Sequence, residues 1–418
     1  MSSSESEEEP IPRLTIDLAR PPRERYDEVV YIFGARMRAL TGLFDDLLSI
    51  FIPYAWLRSI VLSLARVFLR RVYDDEENEE IKGISAASGV PLYLLVALNS
   101  TLDCLLGCTS GAVPVSFSTL RRKKSESTIP DATRLLHFRT LDWGMDELRD
   151  LIVVLEFVDS SSDHPSKVIA RSITYAGFVG SLTAVRPGFS ISLNHRASHD
   201  CPGRNLRWHQ SMVLLGRRRS VGSVMRSLLL HPYQQVDDAR DIADNSSSHF
   251  AKLATHISRI PTAPCYLILC DGQEATVIIK DYVTGTVTST RGFIAQTNHD
   301  LKDHERGLAR MDDEPSTFHQ DRREVLTSPL AVDGWIEESA ERLECIQRKW
   351  FRHAQKFRAK QSGASPEAEP SIKEATLRKW MAAYPTYNEC THFAAILDPK
   401  TGHIRWLVKW VVDADEPL

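Results

Sequence analysis

The feature of the sequence that most constrains the fold is a change in hydrophobic periodicity close to residue 108. From residue 24 to about residue 92, apolar residues recur at the spacing of an amphipathic helix, as Tyr26, Val29, Val30 and Phe33 do. After Cys108 the pattern changes to short apolar runs separated by Gly and Pro, which is typical of β-strands. The sequence therefore predicts an α+β protein in which a helical region precedes a strand-rich region.

The apolar runs also predict the order of the elements. Strands are expected at 150–158, 167–185 and 189–195, a hairpin at 265–282, two more strands at 284–300 and a last hairpin at 391–412. Helices are expected at 209–230, 235–257, 320–328 and 334–361, with a polar loop at 118–134 and a linker at 362–370. Because strands occur in runs and helices in blocks, we expect antiparallel pairing rather than a doubly wound sheet.

Charge and cysteine content exclude several classes of protein. The chain has 51 Lys and Arg against 55 Asp and Glu, so its net charge of −4 gives no overall attraction to nucleic acid. The 7 cysteines are odd in number and widely spaced, which predicts reduced thiols rather than a disulfide scaffold or a zinc site. "HRASHDC" (195–201) is interpreted as a polar loop rather than a metal cluster. We predict no metal and no cofactor.

The first half of the chain raises the question of membranes. The opening "MSSSESEEEP" is acidic and serine-rich, which predicts a disordered tail and no secretory leader. The apolar stretch 47–72 is interrupted by Pro53, Arg58 and Arg66, so it does not form an uninterrupted membrane span. Its mixture of bulky apolar residues and arginines suits either a helix at a membrane surface, over 44–72, or a helix that packs on the strand-rich region. We expect the protein in the cytoplasm or at a cytoplasmic membrane surface, in preference to a lysosome.

Cys108 lies where the periodicity changes, within "LLGCTSGAVPV" (105–115). One interpretation is a buried core thiol, since free cysteine is among the most buried residue types. The other is that the chain is cut after Gly107, so that Cys108 becomes an N-terminus. It would then carry a thiol nucleophile and an α-amino group of pKa near ~8 that can accept the thiol proton.

Six segments, in order, resemble one known family. They are "LTIDLARPPRERYDEV" (14–29), "CTSGAVPV" with "HFRTLDWG" (137–144), "YAGFVGSLTAVRPGFSISLNHR" (175–196), "APCYLILCDG" (263–272), "AQTNHD" (295–300) and "DRR" (321–323). Together they resemble acid ceramidase and N-acylethanolamine acid amidase, which are N-terminal-nucleophile cysteine hydrolases related to choloylglycine hydrolase.

The resemblance implies a fold and a division of the chain. It implies an αββα sandwich of antiparallel sheets preceded by a helical region. Residues 1–23 would form a tail and an extended segment, 24–107 the helical α-subunit region, and 108–418 the catalytic β-subunit. Self-cleavage between Gly107 and Cys108 would separate the two parts, which would stay associated.

The resemblance also assigns the site residues. The catalytic residues are Cys108, Arg139, Asp142 and Asn298, and the supporting residues are Asn194, His195 and Arg322. Cys108 would be the nucleophile, and Asn298 would donate its amide to the oxyanion. We expect Arg139 and Asp142 on the same side of a strand or turn, where they would hold the thiol and the α-amino group. The alternatives are a surface ion pair and a common turn asparagine. His195 stands where the family has glutamate.

The implied reaction is hydrolysis of a lipid amide through a thioester to Cys108. Ceramide is the first substrate that the resemblance suggests, and an N-acylethanolamine is the second. Two alternatives stay open from the sequence: an uncleaved, inactive protein that binds acylated lipids, and hydrolysis of a non-lipid amide such as a conjugated bile acid or penicillin.

Overall fold

A computed structural model describes residues 10–42, 54–101, 107–117, 132–196, 201–231, 249–300, 332–360 and 369–410. The strands in these ranges are β1 (Arg13–Asp17), β2 (Gly107–Phe117), β3 (Ala132–Asp142), β4 (Ile152–Val158), β5 (Ala170–Tyr175), β6 (Thr183–Arg186), β7 (Phe189–His195), β8 (Cys265–Cys270), β9 (Ala275–Lys280), β10 (Gly285–Thr290), β11 (Ile294–Gln296), β12 (Thr391–Asp398) and β13 (His403–Lys409). The α-helices are α1 (Asp27–Ala39), α2 (Ala55–Phe68), α3 (Asp75–Ser88), α4 (Leu92–Thr101), α5 (Gly203–Leu214), α6 (Val221–Leu230), α7 (His249–Arg259), α8 (Val332–Lys360) and α9 (Glu374–Met381).

The strands form two sheets. One has eight strands in the order β1-β4-β5-β6-β7-β8-β9-β10, and the other has five in the order β11-β2-β3-β12-β13. Neighbouring strands are antiparallel except for β1 and β4, which run parallel, with Arg13 opposite Val154. The expected antiparallel sheets are therefore confirmed with this one exception. Because β1 belongs to the N-terminal segment, that segment completes an edge of the larger sheet.

The two sheets pack face to face, and helices cover both outer faces. Residues of α8 and α9 pack on the outer face of the five-stranded sheet, where Ile346 and Leu377 meet Val113 and Phe138. The eight-stranded sheet shares its cluster with α1, α3, α4, α6 and α7. Alternation along each strand sends one set of side chains to the helices and the other set between the sheets. The expected αββα sandwich is confirmed.

Several boundaries differ from the sequence prediction. The helix expected at 209–230 is two helices, α5 and α6, because Gly216 has a positive φ of 64° and lies against the backbone of Arg71. The loop expected at 118–134 ends earlier, because residues 132–134 already pair with β2. The helix expected at 235–257 is described only as α7, and the helix at 320–328 lies outside the described residues.

The predicted hairpins are present as expected. β8 and β9 form one of them, with Cys265 opposite Lys280 and with Gly272 at a positive φ of 96° in the turn. β12 and β13 form the other. Among the described residues, no helix combines the length and the apolarity that crossing a bilayer requires.

Candidate active site

Cys108 is the second residue of β2 and is fully buried. The strand register sets Cys108 opposite Leu141 and Gly107 opposite Asp142 on β3. The Gly107 backbone lies so close to this neighbour that an added Cβ would stand 3.2 Å from the Asp142 carbonyl oxygen. The peptide bond between Gly107 and Cys108 is thus held inside a sheet, at the level where β3 ends.

Arg139 provides the cation closest to the thiol. Its Nη2 donates to Cys108 Sγ at 3.1 Å, and its Nη1 donates to Asn194 Oδ1 at 3.2 Å and to Ser110 Oγ at 3.3 Å. A further bond from Nη1 to the Leu193 carbonyl ties the guanidinium to β7 on the facing sheet. Arg139 is therefore fixed between the two sheets with its charge directed at the sulfur.

Burial dominates the acidity of the thiol in the uncut chain. It raises the pKa of the Cys108 thiol to about 11, although Arg139 acts in the opposite direction. At neutral pH the thiol is consequently protonated, because the cation does not offset the loss of hydration. Reaction of this thiol needs a proton acceptor close to it.

Asp142 lies on the other face of β3, and the expectation that it shares a side with Arg139 is wrong. Its Oδ1 accepts from Thr391 Oγ1 at 2.8 Å, and its Oδ2 is 3.6 Å from Arg342 Nη1 on α8. Residues three apart on a strand point to opposite faces, which is the physical reason. Burial raises the pKa of the Asp142 carboxyl, and Arg342 opposes this most strongly.

Asn298 lies beside the nitrogen of Cys108. The Cys108 N–H donates to Asn298 Oδ1 at 2.7 Å, and Arg342 Nη2 donates to the same oxygen at 3.1 Å. Asn298 Nδ2 donates to the His195 carbonyl at 2.8 Å. These three contacts assign the orientation of the amide. They direct the amide oxygen, rather than the expected amide donor, at Cys108; the oxyanion role of Asn298 stays a prediction.

The supporting residues differ in how they reach the site. Asn194 Oδ1 accepts from Ser110 Oγ at 2.7 Å, and Asn194 Nδ2 donates to the Gln296 carbonyl at 2.9 Å, so Asn194 links β2 to the segment before Asn298. His195 contributes its backbone carbonyl, and its ring is half-buried. Arg322 lies outside the described residues.

Two further contacts fix the backbone around Asn298. The Asn298 N–H donates to Ser339 Oγ at 2.7 Å, and the Arg196 guanidinium binds the Asp300 carboxylate through two bonds of 3.0 and 2.5 Å. Ser339 belongs to α8, and Arg196 directly follows β7. These contacts fix the loop residue Asn298 to the sandwich.

Two buried histidines near the site are hydrogen-bonded through both ring nitrogens. His137 contacts Ser190 Oγ and Ser192 Oγ through its two ring nitrogens, at 2.9 and 2.8 Å. His392 Nε2 faces the Trp143 carbonyl at 3.0 Å, so its Nδ1 accepts from Tyr175 OH at 2.7 Å. Burial lowers the pKa of each ring to about 3. Both rings are therefore uncharged at neutral pH.

Sequence reasoning missed the contribution of α8. Ser339 and Arg342 are buried one turn apart, on the same face as Leu343 and Ile346. The signal that could have found them is a charged residue on the apolar stripe of an amphipathic helix. A stripe position next to Leu343 is an unusual place for an arginine unless it has a buried partner.

Comparisons with known proteins agree with the motif pattern. The model of a family described as the beta subunit of N-acylethanolamine-hydrolyzing acid amidase matches residues 9–73. Bovine acid ceramidase (Bos taurus) is 26% identical over 317 residues, covering 70% of this chain and 70% of that protein. The chimpanzee (Pan troglodytes) acid ceramidase is 26% identical over 322 residues, covering 71% of each.

A solved structure also matches part of the chain. It is a Caenorhabditis elegans N-acylethanolamine-hydrolyzing acid amidase (NAAA) ortholog, which is 17% identical with a TM-score of 0.44. The match covers 72% of this chain and 100% of that one. The similarity to known proteins therefore rests on the sequence comparisons.

Proposed function

The chain belongs to the family of acid ceramidase and N-acylethanolamine acid amidase, and on that premise we propose that it hydrolyses the amide bond of an N-acylated lipid. The observation that carries the proposal is the surroundings of Cys108. Its sulfur contacts Arg139 at 3.1 Å and its nitrogen contacts Asn298 at 2.7 Å. One residue thus presents a nucleophile and, after cleavage of the preceding bond, a base.

Self-cleavage is the first step of the proposal. The Cys108 thiol attacks the Gly107 carbonyl carbon, a C–S bond forms, and the C–N bond breaks as the nitrogen takes the thiol proton. Water then hydrolyses the thioester, which leaves a carboxylate on Gly107 and restores the thiol. The product carries a free α-amino group at the place where the peptide N–H now faces Asn298 Oδ1.

Turnover of substrate repeats the same chemistry on a lipid amide. The α-amino group takes the thiol proton, the sulfur attacks the acyl carbon, and the amine of the lipid leaves with a proton. Water cleaves the resulting thioester and releases the fatty acid. The high pKa of the thiol in the uncut chain is consistent with a base being created only by cleavage.

Ceramide is the first candidate substrate, and an N-acylethanolamine is the second. The curated relatives are acid ceramidases, which favours ceramide. The matching family model is that of an N-acylethanolamine-hydrolyzing amidase, which favours the other. The two share an acyl amide and differ in the amine, so a panel of both substrates with equal acyl chains decides between them.

The test compares wild type with Cys108→Ala on fluorescent ceramide and on a fluorescent N-acylethanolamine. Cys270→Ala is the matched control, because Cys270 is equally buried but lies in a different cluster, with Ala112 and Leu135. We expect turnover by wild type and the control, and none by Cys108→Ala. Equal signal from all three chains would rule out the amidase. Binding of the lipids without turnover by wild type would support a lipid-binding protein instead.

We also propose that α2 contacts a membrane surface. The residues Trp56, Ile60, Leu64 and Phe68 recur every four positions and therefore share one face of α2. That face is exposed, and Trp56 alone is 66% exposed. α2 contacts α4, and the four residues of this apolar stripe stay exposed beside that contact. Exposed apolar residues beside arginines suit the interface of a bilayer.

Sedimentation with phospholipid vesicles tests this contact. The double variant Trp56→Ser with Leu64→Ser should weaken binding by at least about tenfold, because two bulky apolar side chains are no longer transferred from water into the bilayer. Val283→Ser with Val287→Ser is the control, since these exposed residues lie elsewhere, at the turn before β10 and on it. Equal binding by wild type and the α2 variant would exclude α2 as the contact.

A further inference from the structure

Arg342 is a buried charged residue that the proposed chemistry has not yet used. It lies on α8 and is 3% exposed, although most charged residues of this helix face solvent. Its Nη2 donates to Asn298 Oδ1 at 3.1 Å, and its Nη1 lies 3.6 Å from Asp142 Oδ2. One guanidinium thus bridges two of the side chains that surround Cys108.

The geometry at Asn298 brings Arg342 close to the nitrogen of Cys108. Both groups donate to the same oxygen, so the guanidinium nitrogen is no farther from the Cys108 nitrogen than two hydrogen bonds laid end to end. Ser339, one turn earlier on α8, accepts from the Asn298 backbone N–H. The helix therefore holds Asn298 by its main chain and by its side chain.

We propose that Arg342 is a positioning residue that holds Asn298 and Asp142 around the Cys108 nitrogen and, through its charge, keeps the α-amino group exposed by cleavage in its neutral form. This inference rests on the proposed function, because the amino group exists only after the cut. A neutral amine is the form that can accept the thiol proton. A cation held next to an amine disfavours its protonation, whereas a carboxylate favours it.

The charged and titratable groups that interact electrostatically with Cys108 come from three elements. Arg139 and Asp142 lie on β3, Arg342 lies on α8, and the buried phenol of Tyr175 on β5 interacts electrostatically with the Cys108 thiol. Removing the charge of Arg342 takes away one cation and leaves Asp142 less neutralised. Both effects raise the pKa of the amine, so they do not cancel.

The test is the pH dependence of kcat/KM for wild type, Arg342→Lys, Arg342→Gln and Arg342→Met, with Arg348→Met as control. Arg348 lies on the same helix and pairs with Glu344 in solvent. The rising limb of the profile reports the deprotonation of the Cys108 α-amino group. We expect this limb to shift upward by about one pH unit in the Gln and Met variants. Arg342→Lys and Arg348→Met should keep the wild-type limb.

N-terminal sequencing of every variant separates the two levels of the proposal. If wild type shows no chain beginning at Cys108, the proposed function itself fails. If wild type is cleaved and active, and the Gln and Met variants share its profile, only the role of Arg342 fails. A folded Arg342→Met that is not cleaved, beside a cleaved Arg342→Lys, supports the positioning role. Should Arg342→Met not fold, the comparison of Gln with Lys decides, because both keep a donor and only Lys keeps the charge.

Discussion

At the scale of single residues, Asn298 links three neighbours through one amide. Its oxygen accepts from Cys108 and Arg342, and its nitrogen donates to the His195 carbonyl. A side chain that both accepts and donates is required, because an oxygen directed at the His195 carbonyl would be repelled. The amide therefore belongs to the positioning of the nucleophile as well as to any role in binding an oxyanion.

We predict that Asn298→Asp and Asn298→Ala both lower kcat/KM by roughly 10²-fold or more. The Asp variant keeps an acceptor for Cys108 but loses the donor to His195, and the Ala variant loses both. Amide turnover by purified protein measures the effect. Asn205→Ala, on the exposed face of α5, should be neutral. Wild-type rates in both Asn298 variants would remove this residue from the site.

The sequence identifies the residues of this site better than it identifies the directions in which their side chains point. Cys108, Arg139, Asn194 and Asn298 lie together as the motif order suggests. Asp142 faces away from Arg139, because side chains three residues apart on one strand point to opposite faces. Arg342 follows Asn298 by more than forty residues, and local pattern says nothing about which strand a helix face will cover.

At the scale of elements, the packing of β2 against β11 depends on Gly111, which has no side chain. A Cβ on Gly111 would stand 2.9 Å from Ala295 Cα and closer still to the Ile294 carbonyl oxygen and the Phe138 ring. Ile294 and Ala295 belong to β11, which pairs with β2 and leads directly to Asn298. The close approach of β11 to β2 therefore sets the position of Asn298.

We predict that Gly111→Ala lowers the free energy of unfolding by about 1–3 kcal/mol and also lowers activity. The added methyl group pushes β11 from β2 and displaces Asn298 from Cys108. Chemical denaturation and amide turnover measure the two effects. Gly292→Ala is the matched control, since its nearest atom is the flexible Thr290 hydroxyl at 3.6 Å. An unchanged Gly111→Ala would show that the β2–β11 spacing is not critical.

A second element-scale effect concerns α3. Burial raises the pKa of Glu77 from its ordinary value of 4.5 to about 7, with Arg226 acting in the opposite direction. Between these values the folded protein binds more protons than the unfolded chain, so stability falls as the pH rises through this window. Deprotonation of Glu77 at neutral pH therefore lowers the free energy of unfolding.

We predict that Glu77→Gln flattens the pH dependence of stability between about pH 4.5 and 7. Relative to wild type, the free energy of unfolding of the variant should be higher at pH 7.5 than at pH 4.5 by on the order of 3 kcal/mol. Denaturation at a series of pH values measures this. Glu28→Gln, on the exposed side of α1, should follow wild type. Parallel curves for Glu77→Gln and wild type would contradict the raised pKa.

Local chemistry explains which elements could be predicted. The Asp271–Gly272 turn specifies the β8–β9 hairpin, and the period-two pattern specifies β7. The break between α5 and α6 was missed because the close packing of Gly216 on Arg71 joins residues far apart in sequence. Strand order has the same limitation, since the pairing of β1 with β4 is not visible in either strand alone.

At the scale of the whole molecule, residues before and after Cys108 share one core. Glu80 on α3 is fully buried and receives two hydrogen bonds from Arg226 on α6, one of them at 2.7 Å, and a third from Arg25 at 3.0 Å. Arg226 also donates to the Val179 carbonyl at 3.0 Å. These contacts, with the β1–β4 pair, would keep the two parts associated after cleavage.

We predict that Arg226→Met lowers the free energy of unfolding by about 3–5 kcal/mol, because it leaves Glu80 buried with less compensation. Arg348→Met removes a solvent-exposed pair, whose side chains are 60% and 53% exposed, and should cost less than about 1 kcal/mol. Thermal and chemical denaturation measure both. A loss from Arg226→Met no larger than that of its control would show that this cluster does not join the two parts.

The central claim is that Cys108 acts from a new chain end, and N-terminal sequencing with intact mass measurement tests it most directly. Purified wild type should give two fragments, one of which begins Cys-Thr-Ser at residue 108, while Cys108→Ala stays at the intact 47.2 kDa. The contradicting result is an intact wild-type chain that nevertheless hydrolyses lipid amides, because its Cys108 nitrogen would still be a peptide group and could not accept the thiol proton.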